Sequence, residues 1–467
     1  MKKKILLLSD DIRISSGIGT MSKSFVLNSL KDFDWVQMAG AVTHPESGKI
    51  IDMSDAFAKE TGVDDASVIL YGVNGYGDPN TLRAVIAKEK PDAILHFTDP
   101  RFWGWLYQME HEIRQSIPIM YYNIWDDLPF PHWNENAYES CDLLMAISKQ
   151  TYNINKHVCA RKPRIEGKDL TYVQHGIDEN IFKPLPQDDP GLLEFKQKIF
   201  GDRKYDYIAF FNSRNILRKH PADLITAFNS FVLSMPKEAR SKAALILHTD
   251  IVDNAGTDLQ AVSQRLAPDS DIIFSNGKME APQLNYLYNI ADVMCNPSSA
   301  EGFGLSHMEG IMTGLPTIAS VIGGLQDQMG FEMESGRPMD ITDFTAEIPS
   351  NSTGMISQKH GEWVYPLWPQ VTLQGSPATP YIYDSRVSVD QIIKGLKYWY
   401  DIGSKMRKEK GLAGRDWAIK NKFTAKGMAE AMTNSINICL DTWKPRKNFT
   451  LIDTSNPISK APSGVLV

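Results

Sequence analysis

Short apolar runs alternate with stretches of helical period along most of this chain. In the first half, residues 5–8, 68–71, 93–97, 117–124, 143–147 and 171–173 read as buried strands, and 20–30, 79–88, 102–114, 132–140 and 149–159 read as helices. The second half repeats the alternation, with strands at 207–211, 244–248, 272–275, 291–295 and 316–320 and helices at 222–233, 258–266, 281–289 and 305–312. Alternation at this spacing predicts α/β architecture with parallel, doubly wound sheets, whose ligands gather at the carboxyl ends of the strands. The pattern fails over residues 327–383, where Gly, Pro, Ser and Thr are scattered without period. That stretch reads as an insertion that packs Trp363, Tyr365 and Trp368 on the second half or lids a cleft. Helices return at 388–400, 403–421 and 424–440, and residues 448–467 read as a loosely held tail.

The turns at the strand ends carry the candidate chemistry. After the strand at 291–295 the chain runs through Glu301-Gly302-Phe303-Gly304 into a helix that opens with Leu305 and Ser306 and carries Glu309. Glycines keep that turn tight, and the N–H groups and positive dipole end of the helix favour a phosphate or other anion above the sheet. Carboxylates are poor phosphate ligands and good acceptors for sugar hydroxyls. The unit therefore suits a nucleotide-sugar. The competing reading is an ordinary strand–helix turn flanked by two solvated glutamates. The first strand leads to a second glycine-containing turn, Ser15-Ser16-Gly17-Ile18-Gly19, which lacks the full Gly-x-Gly-x-x-Gly and by itself reads as a structural turn. Other strand ends bring His96 with Asp99, and Trp125 with Asp126 and Asp127. Trp125 either stacks on a sugar face or plugs the cleft by packing.

Composition adds bounds. A chain of 467 residues has room for two or three domains. A net charge of −7 gives no overall pull towards nucleic acid or an anionic membrane. His157, Arg161, Lys162, Arg164 and Lys168 form a local basic run, read as a solvated connection or as a docking surface for an anionic acceptor. Four widely separated cysteines suggest neither a disulfide framework nor a zinc site. No apolar run approaches the roughly 18 residues that span a bilayer. The expectation is a reduced, cytoplasmic protein without a metal or a transmembrane segment.

Glu301 and Glu309 stand in a Glu-x7-Glu spacing, and with Gly302, Phe303, Gly304 and Gly310 they resemble the signature of the family 4 glycosyltransferases. These are retaining enzymes of the two-Rossmann (GT-B) fold. Further segments resemble the family in the right order. Asp92-Ala93-Ile94-Leu95-His96 is similar to its strand ending in histidine. Val173-Gln174-His175-Gly176-Ile177-Asp178 with Phe182 resembles the segment that closes its first domain, with His175 in place of asparagine. Arg214 and Lys219 match the spacing of its Gly-Arg-Leu-x-x-x-Lys-Gly loop, with Ser213 and His220 in place of the glycines. Asn276-Gly277-Lys278-Met279 resembles the loop whose backbone reads the base, and Gly323-Gly324 also matches. Trp125 stands where the family commonly has histidine.

The resemblance implies an acceptor domain over 1–186, a nucleotide-sugar domain over 187–425 that carries the insertion, and a helix over 426–447 crossing back to the first domain. Pro184, Pro186 and Pro190 then fit a linker. It further implies transfer of a hexose or pentose from a nucleotide-diphosphate-sugar, UDP-linked, to a hydroxyl acceptor with retention and no cofactor. Arg214 and Lys219 would stabilise charge developing on the diphosphate, beside the amides around Gly304, Leu305 and Ser306. Glu309 would hold the ribose and Glu301 the donor sugar. Ser16, Gly17 and Gly19 would let the backbone approach the donor from across the cleft, Lys278 would lie by the base, and His96 and Asp126 on the acceptor side. The acceptor is left open between a glycan, a lipid-linked sugar, a small molecule and a modified base in phage-type DNA. A non-catalytic nucleotide-sugar binding protein and an epimerase of the same fold also stay open.

Overall fold

The computed structural model describes residues 2–41, 43, 46–159, 164–275 and 277–446. Arg161, Lys162, Asn276 and the 448–467 tail lie outside the described residues. The first half builds an eight-stranded sheet from β1 (Lys3–Asp10), β2 (Phe33–Gly40), β3 (Ile50–Asp52), β4 (Val68–Gly72), β5 (Ala93–Phe97), β6 (Ile119–Asn123), β7 (Leu143–Ala146) and β8 (Leu170–Tyr172). Its order is β3-β4-β2-β1-β5-β6-β7-β8, parallel except where β3 meets β4. The second half builds a parallel sheet from β9 (Tyr207–Asn212), β10 (Ala243–His248), β11 (Asp271–Ser275), β12 (Val293–Asn296), β13 (Thr317–Ser320) and β14 (Val364–Leu367), in the order β11-β10-β9-β12-β13-β14. Both sheets are covered by helices on both faces, so their central strands are apolar throughout: Ile5, Leu6, Leu7 and Leu8 are all fully buried. The expected architecture of two doubly wound, Rossmann-like units is what the chain adopts.

The differences from the sequence reading have local causes. β2 escaped notice because Asp34 and Gln37 interrupt its apolar run. Gln37 is nevertheless buried, its amide donating to Ser9 Oγ and the Asp10 carbonyl at 2.7 Å each. Residues 102–114 are not one helix; a 3-10 turn (Pro100–Trp103) capped by Asp99 precedes two short helices, Gly104–Gln108 and Glu110–Ile113. Pro190 opens a helix (Pro190–Phe200) instead of extending a linker, with the Asp189 carboxylate accepting from Leu192 N at 2.8 Å.

The stretch read as an insertion is not one either throughout, because β14 is the edge strand of the second sheet. After β14 comes a hairpin of β15 (Gln370–Ser376) and β16 (Thr379–Arg386). That hairpin reaches the first half. Tyr383 N donates to the Leu128 carbonyl at 2.6 Å, and the Tyr381 ring meets Trp133 edge-on at 4.5 Å.

The last helix, Ala425–Thr442, crosses back. It packs Met432 and Ile436 against Phe25, Phe33 and Trp35 of the first half. Where it starts, Ile177 bonds both sides of Thr424 through its backbone, Ile177 N to Phe423 O at 2.9 Å and Ala425 N to Ile177 O at 3.0 Å. Gly176 is obligatory at that crossing, since a Cβ there would lie 2.0 Å from the Thr424 carbonyl oxygen.

Candidate active site in the crevice between the two sheets

The carboxyl ends of β9 and β12 feed adjacent loops of the second half. The β9 loop ends in a 3-10 turn, Leu217–Lys219, and the β12 loop runs from Asn296 to the helix Leu305–Met312. Lys219 Nζ and Glu301 Oε1 form an ion pair there, with side chains only 7% and 11% exposed. Ser298 Oγ lies 3.1 Å from the same carboxylate oxygen. Arg218 Nη1 lies 3.9 Å from Glu301 Oε2 and donates to the Ala300 carbonyl. Burial pulls Lys219 down to about 8, against the pull of Glu301. Burial alone would raise Glu301, but Lys219, Arg218 and Ser298 together outweigh it and hold the carboxyl below its usual range. The result is a matched pair of charges held out of water, with a second cation beside it.

The helix that follows begins at Gly304, which sits at φ 88 with no side-chain cap. A Cβ there would also meet Leu325 at 2.4 Å. Among the described residues no oxygen caps the first-turn N–H groups at Leu305 and Ser306. Phe303 is buried, with its ring 5.2 Å from His175 and 6.1 Å from Phe423. One helical turn on, Glu309 Oε2 accepts from the Tyr288 hydroxyl at 2.6 Å, and that hydroxyl accepts from Asn212 Nδ2 at 2.8 Å.

Burial raises the Glu309 carboxyl from 4.5 to about 7, with the Tyr288 bond opposing the shift. The folded protein thus holds this proton more tightly than the unfolded chain does. Stability from this group is full below about 4.5 and falls as pH rises towards 7. Urea midpoints across that range are expected to drop in the parent and to drop less in Glu309→Gln.

The first half closes the crevice from the opposite side. Ser16 caps the helix Gly17–Asn28, accepting from Gly19 N at 2.9 Å and donating to Asp10 at 2.6 Å. Gly17 faces Leu305, since a Cβ on it would lie 3.5 Å from the leucine Cδ1. Gly19 instead sits against the Asp11 and Ile14 carbonyls, where it serves its own turn. A Cβ on Gly302 would lie 2.9 Å from the Ile124 carbonyl oxygen, and one on Gly323 would lie 2.1 Å from the Glu301 carbonyl oxygen and 3.5 Å from Asp126 Cβ. Asp126 therefore reaches the same centre as Glu301. Burial raises its carboxyl, with Arg218 and Lys219 opposing and Glu301 adding to the rise.

Trp125 is buried in packing and is the plug of the two readings. Its indole N–H donates to the Asp127 carbonyl at 2.9 Å, its own N–H bonds Asn123 at 2.9 Å, and its carbonyl accepts from Thr151 at 2.7 Å. Those bonds fix the backbone from which Asp126 and Asp127 project.

Two sequence candidates, His96 and Arg214, are engaged elsewhere. His96 is fully enclosed, hydrogen-bonded to Tyr107 at 2.6 Å and stacked on Tyr121 at 4.8 Å. Burial pushes it down to about 3, so it is a neutral packing residue that does not face the crevice. Arg214 is two-thirds exposed and paired with Asp253 at 2.8 Å, so the cation that accompanies Lys219 is Arg218. Lys278 is exposed in the loop that follows β11. Sequence reading missed Arg218, Ser298, Tyr288 and Asn212. Only Arg218, inside the basic run 214–219, carried any signal.

Residues 194–332 match the family described as "Glycosyl transferases group 1". That span holds Lys219, Glu301 and Glu309 and covers under a third of the chain. D-inositol 3-phosphate glycosyltransferase of Kribbella flavida is 26% identical over 208 residues, 43% of this chain and 46% of the relative. MMP alpha-(1->4)-mannosyltransferase of Mycolicibacterium hassiacum is 35% identical over 82 residues, 17% of this chain and 20% of the relative. The chain thus spans less than half the length of these curated relatives. The crystal structure of Anabaena Alr3699/HepE in complex with UDP and glucose superposes with a TM-score of 0.62 at 14% identity, over 93% of this chain and 99% of that one. The superposition shows the GT-B fold. No helix among the described residues is long and apolar enough to cross a membrane.

Proposed function

We propose that this protein is a retaining glycosyltransferase that moves a sugar from a UDP-linked or other nucleotide-diphosphate donor to a hydroxyl acceptor. The observation that carries the reading is the buried Lys219–Glu301 pair with Arg218 beside it, opposite Gly17 and Asp126 of the other half. The donor diphosphate meets Lys219, Arg218 and the open N–H groups of Leu305 and Ser306. Glu309 accepts from the ribose hydroxyls and Glu301 from the donor sugar. As the bond from the anomeric carbon to the phosphate oxygen breaks, the nucleoside diphosphate leaves with the electron pair. The acceptor oxygen bonds to the same face of the sugar, and its proton passes to the departing phosphate oxygen. Two fixed cations in a dry crevice lower the energy of that charge most where it is largest, in the transition state.

The test is a thermal-shift screen of nucleotide-sugars, followed by NMR of the product's anomeric centre. The expected result is stabilisation by at least one donor and a product with the donor's configuration. An inverted product removes the retaining assignment. Binding without any release of nucleotide, or release of free sugar alone at full rate, would favour a binding protein or an epimerase instead.

A further inference from the structure

Beside Asp126 and Gly323 the crevice widens into a cavity of about 300 Å³, at the lower end of ligand-pocket sizes. Asp126, Asp127 and Gln150 form its floor from the first half, and Ser299 and Gly323 border it from the second. The remaining walls come from residues 347–355 and from the β15–β16 hairpin, in the stretch that departs from the sequence pattern of the rest of the chain. Two properties of these walls bear on what fits. They carry carboxylates from Asp126, Asp127 and Glu347, and no Lys, Arg or His side chain among the described residues lines them. They also carry hydroxyls from Ser350 and Thr353, the Tyr383 ring, and at the rim the exposed apolar side chains of Met355 and Val371.

We propose that this cavity is the acceptor subsite of the transfer reaction, and that it selects neutral, polyhydroxylated acceptors over phosphorylated ones, with Glu347 as a determinant of that choice. The proposal rests on the glycosyl-transfer reading above. The enclosure and the position beside Asp126 make the site, and its charge sets the class of acceptor.

The nearby cations are already engaged. In the transfer reading Lys219 and Arg218 meet the donor diphosphate, and Arg101, which lies over the Trp125 ring, is paired with Asp99. A phosphomonoester, with about −1.5 to −2 charges at neutral pH, would enter among carboxylates without a free cationic partner on the walls. Neutral hydroxyls find acceptors in the carboxylates and partners in the wall hydroxyls, while Tyr383, Met355 and Val371 cover the apolar face of a ring. Glu347 sits at the exposed rim, its carboxyl held below the usual range by a backbone hydrogen bond and by Thr345. It meets an entering charge first. A DNA acceptor would bring its backbone phosphates to the same rim.

The experiment uses the full chain and the donor found in the screen. Initial rates are measured with free hexoses and alditols, with their monophosphates, and with a single-stranded oligonucleotide carrying 5-hydroxymethylcytosine. Nucleotide release into water without acceptor is recorded in parallel. The expected result is a kcat/KM for neutral acceptors at least about tenfold above that of their monophosphates and of the oligonucleotide. Glu347→Lys is expected to narrow the neutral-to-phosphorylated ratio by at least about threefold. Equal or better use of monophosphates, preference for the oligonucleotide, or an unchanged ratio in Glu347→Lys overturns the subsite proposal. Nucleotide release that persists under those outcomes leaves glycosyl transfer standing, whereas no release with any donor removes both.

Discussion

Lys219→Met lowers the unfolding free energy by about 3–5 kcal/mol and slows nucleotide release by about 10²–10³-fold. Both effects come from one change. Without the ammonium, Glu301 stays buried with only Ser298 at 3.1 Å and Arg218 at 3.9 Å to compensate its charge. Burial then raises its carboxyl with less opposition, which favours the protonated form. The leaving diphosphate loses the cation placed to receive its charge. The two effects separate in the double variant. Adding Glu301→Gln to Lys219→Met removes the stranded carboxylate, so urea unfolding recovers part of the lost stability while turnover stays low. Recovery of turnover in the double variant would show that the pair is structural.

Gly323→Ala comes second in expected effect, at about 10²-fold in turnover with a stability loss of about 1–3 kcal/mol. Gly323 sits at φ +40, and its added methyl carbon would lie 2.1 Å from the Glu301 carbonyl oxygen. Relief requires the loop carrying Glu301 to retreat by about 1 Å, the scale on which positioning fails. Gly336→Ala is the control. It shares a positive φ of +81 but has nothing within 4 Å of the new carbon. It is expected to cost about 1 kcal/mol from backbone strain and to leave turnover as it was. Equal turnover in both variants would mean that the Glu301 loop is not held by this contact.

The positions of most strands and helices could be read from apolar runs, because parallel strands buried on both faces leave an unbroken signature such as residues 5–8. β2 could not, because its buried Gln37 looks polar in sequence and is satisfied by Ser9 and Asp10 of the neighbouring strand and by the N–H of Ile12. Lys219 and Glu301 could be named in advance from the resemblance, which matched Lys219 to the Gly-Arg-Leu-x-x-x-Lys-Gly loop and Glu301 to the Glu-x7-Glu signature. Which arginine joins them could not. Spacing chose Arg214, but the 3-10 turn Leu217–Lys219 swings Arg218 towards the Ala300 carbonyl and leaves Arg214 with Asp253. His96 looked chemical at a strand end, yet the ring is enclosed by Tyr107, Tyr121 and Trp103, which no local pattern foretells. The acidic cavity was invisible for a different reason. Its walls come from segments near 126, 150, 299, 323, 350 and 383, which only the fold brings together.

The most direct test follows nucleoside diphosphate release from a panel of UDP-, GDP- and ADP-sugars by the purified protein and by Lys219→Met, with folding of both checked by urea titration. Release from at least one donor by the parent, reduced by about 10² or more in the variant, is the predicted result. Release that proceeds equally in both proteins would contradict the assignment of the leaving group to the Lys219–Glu301 crevice.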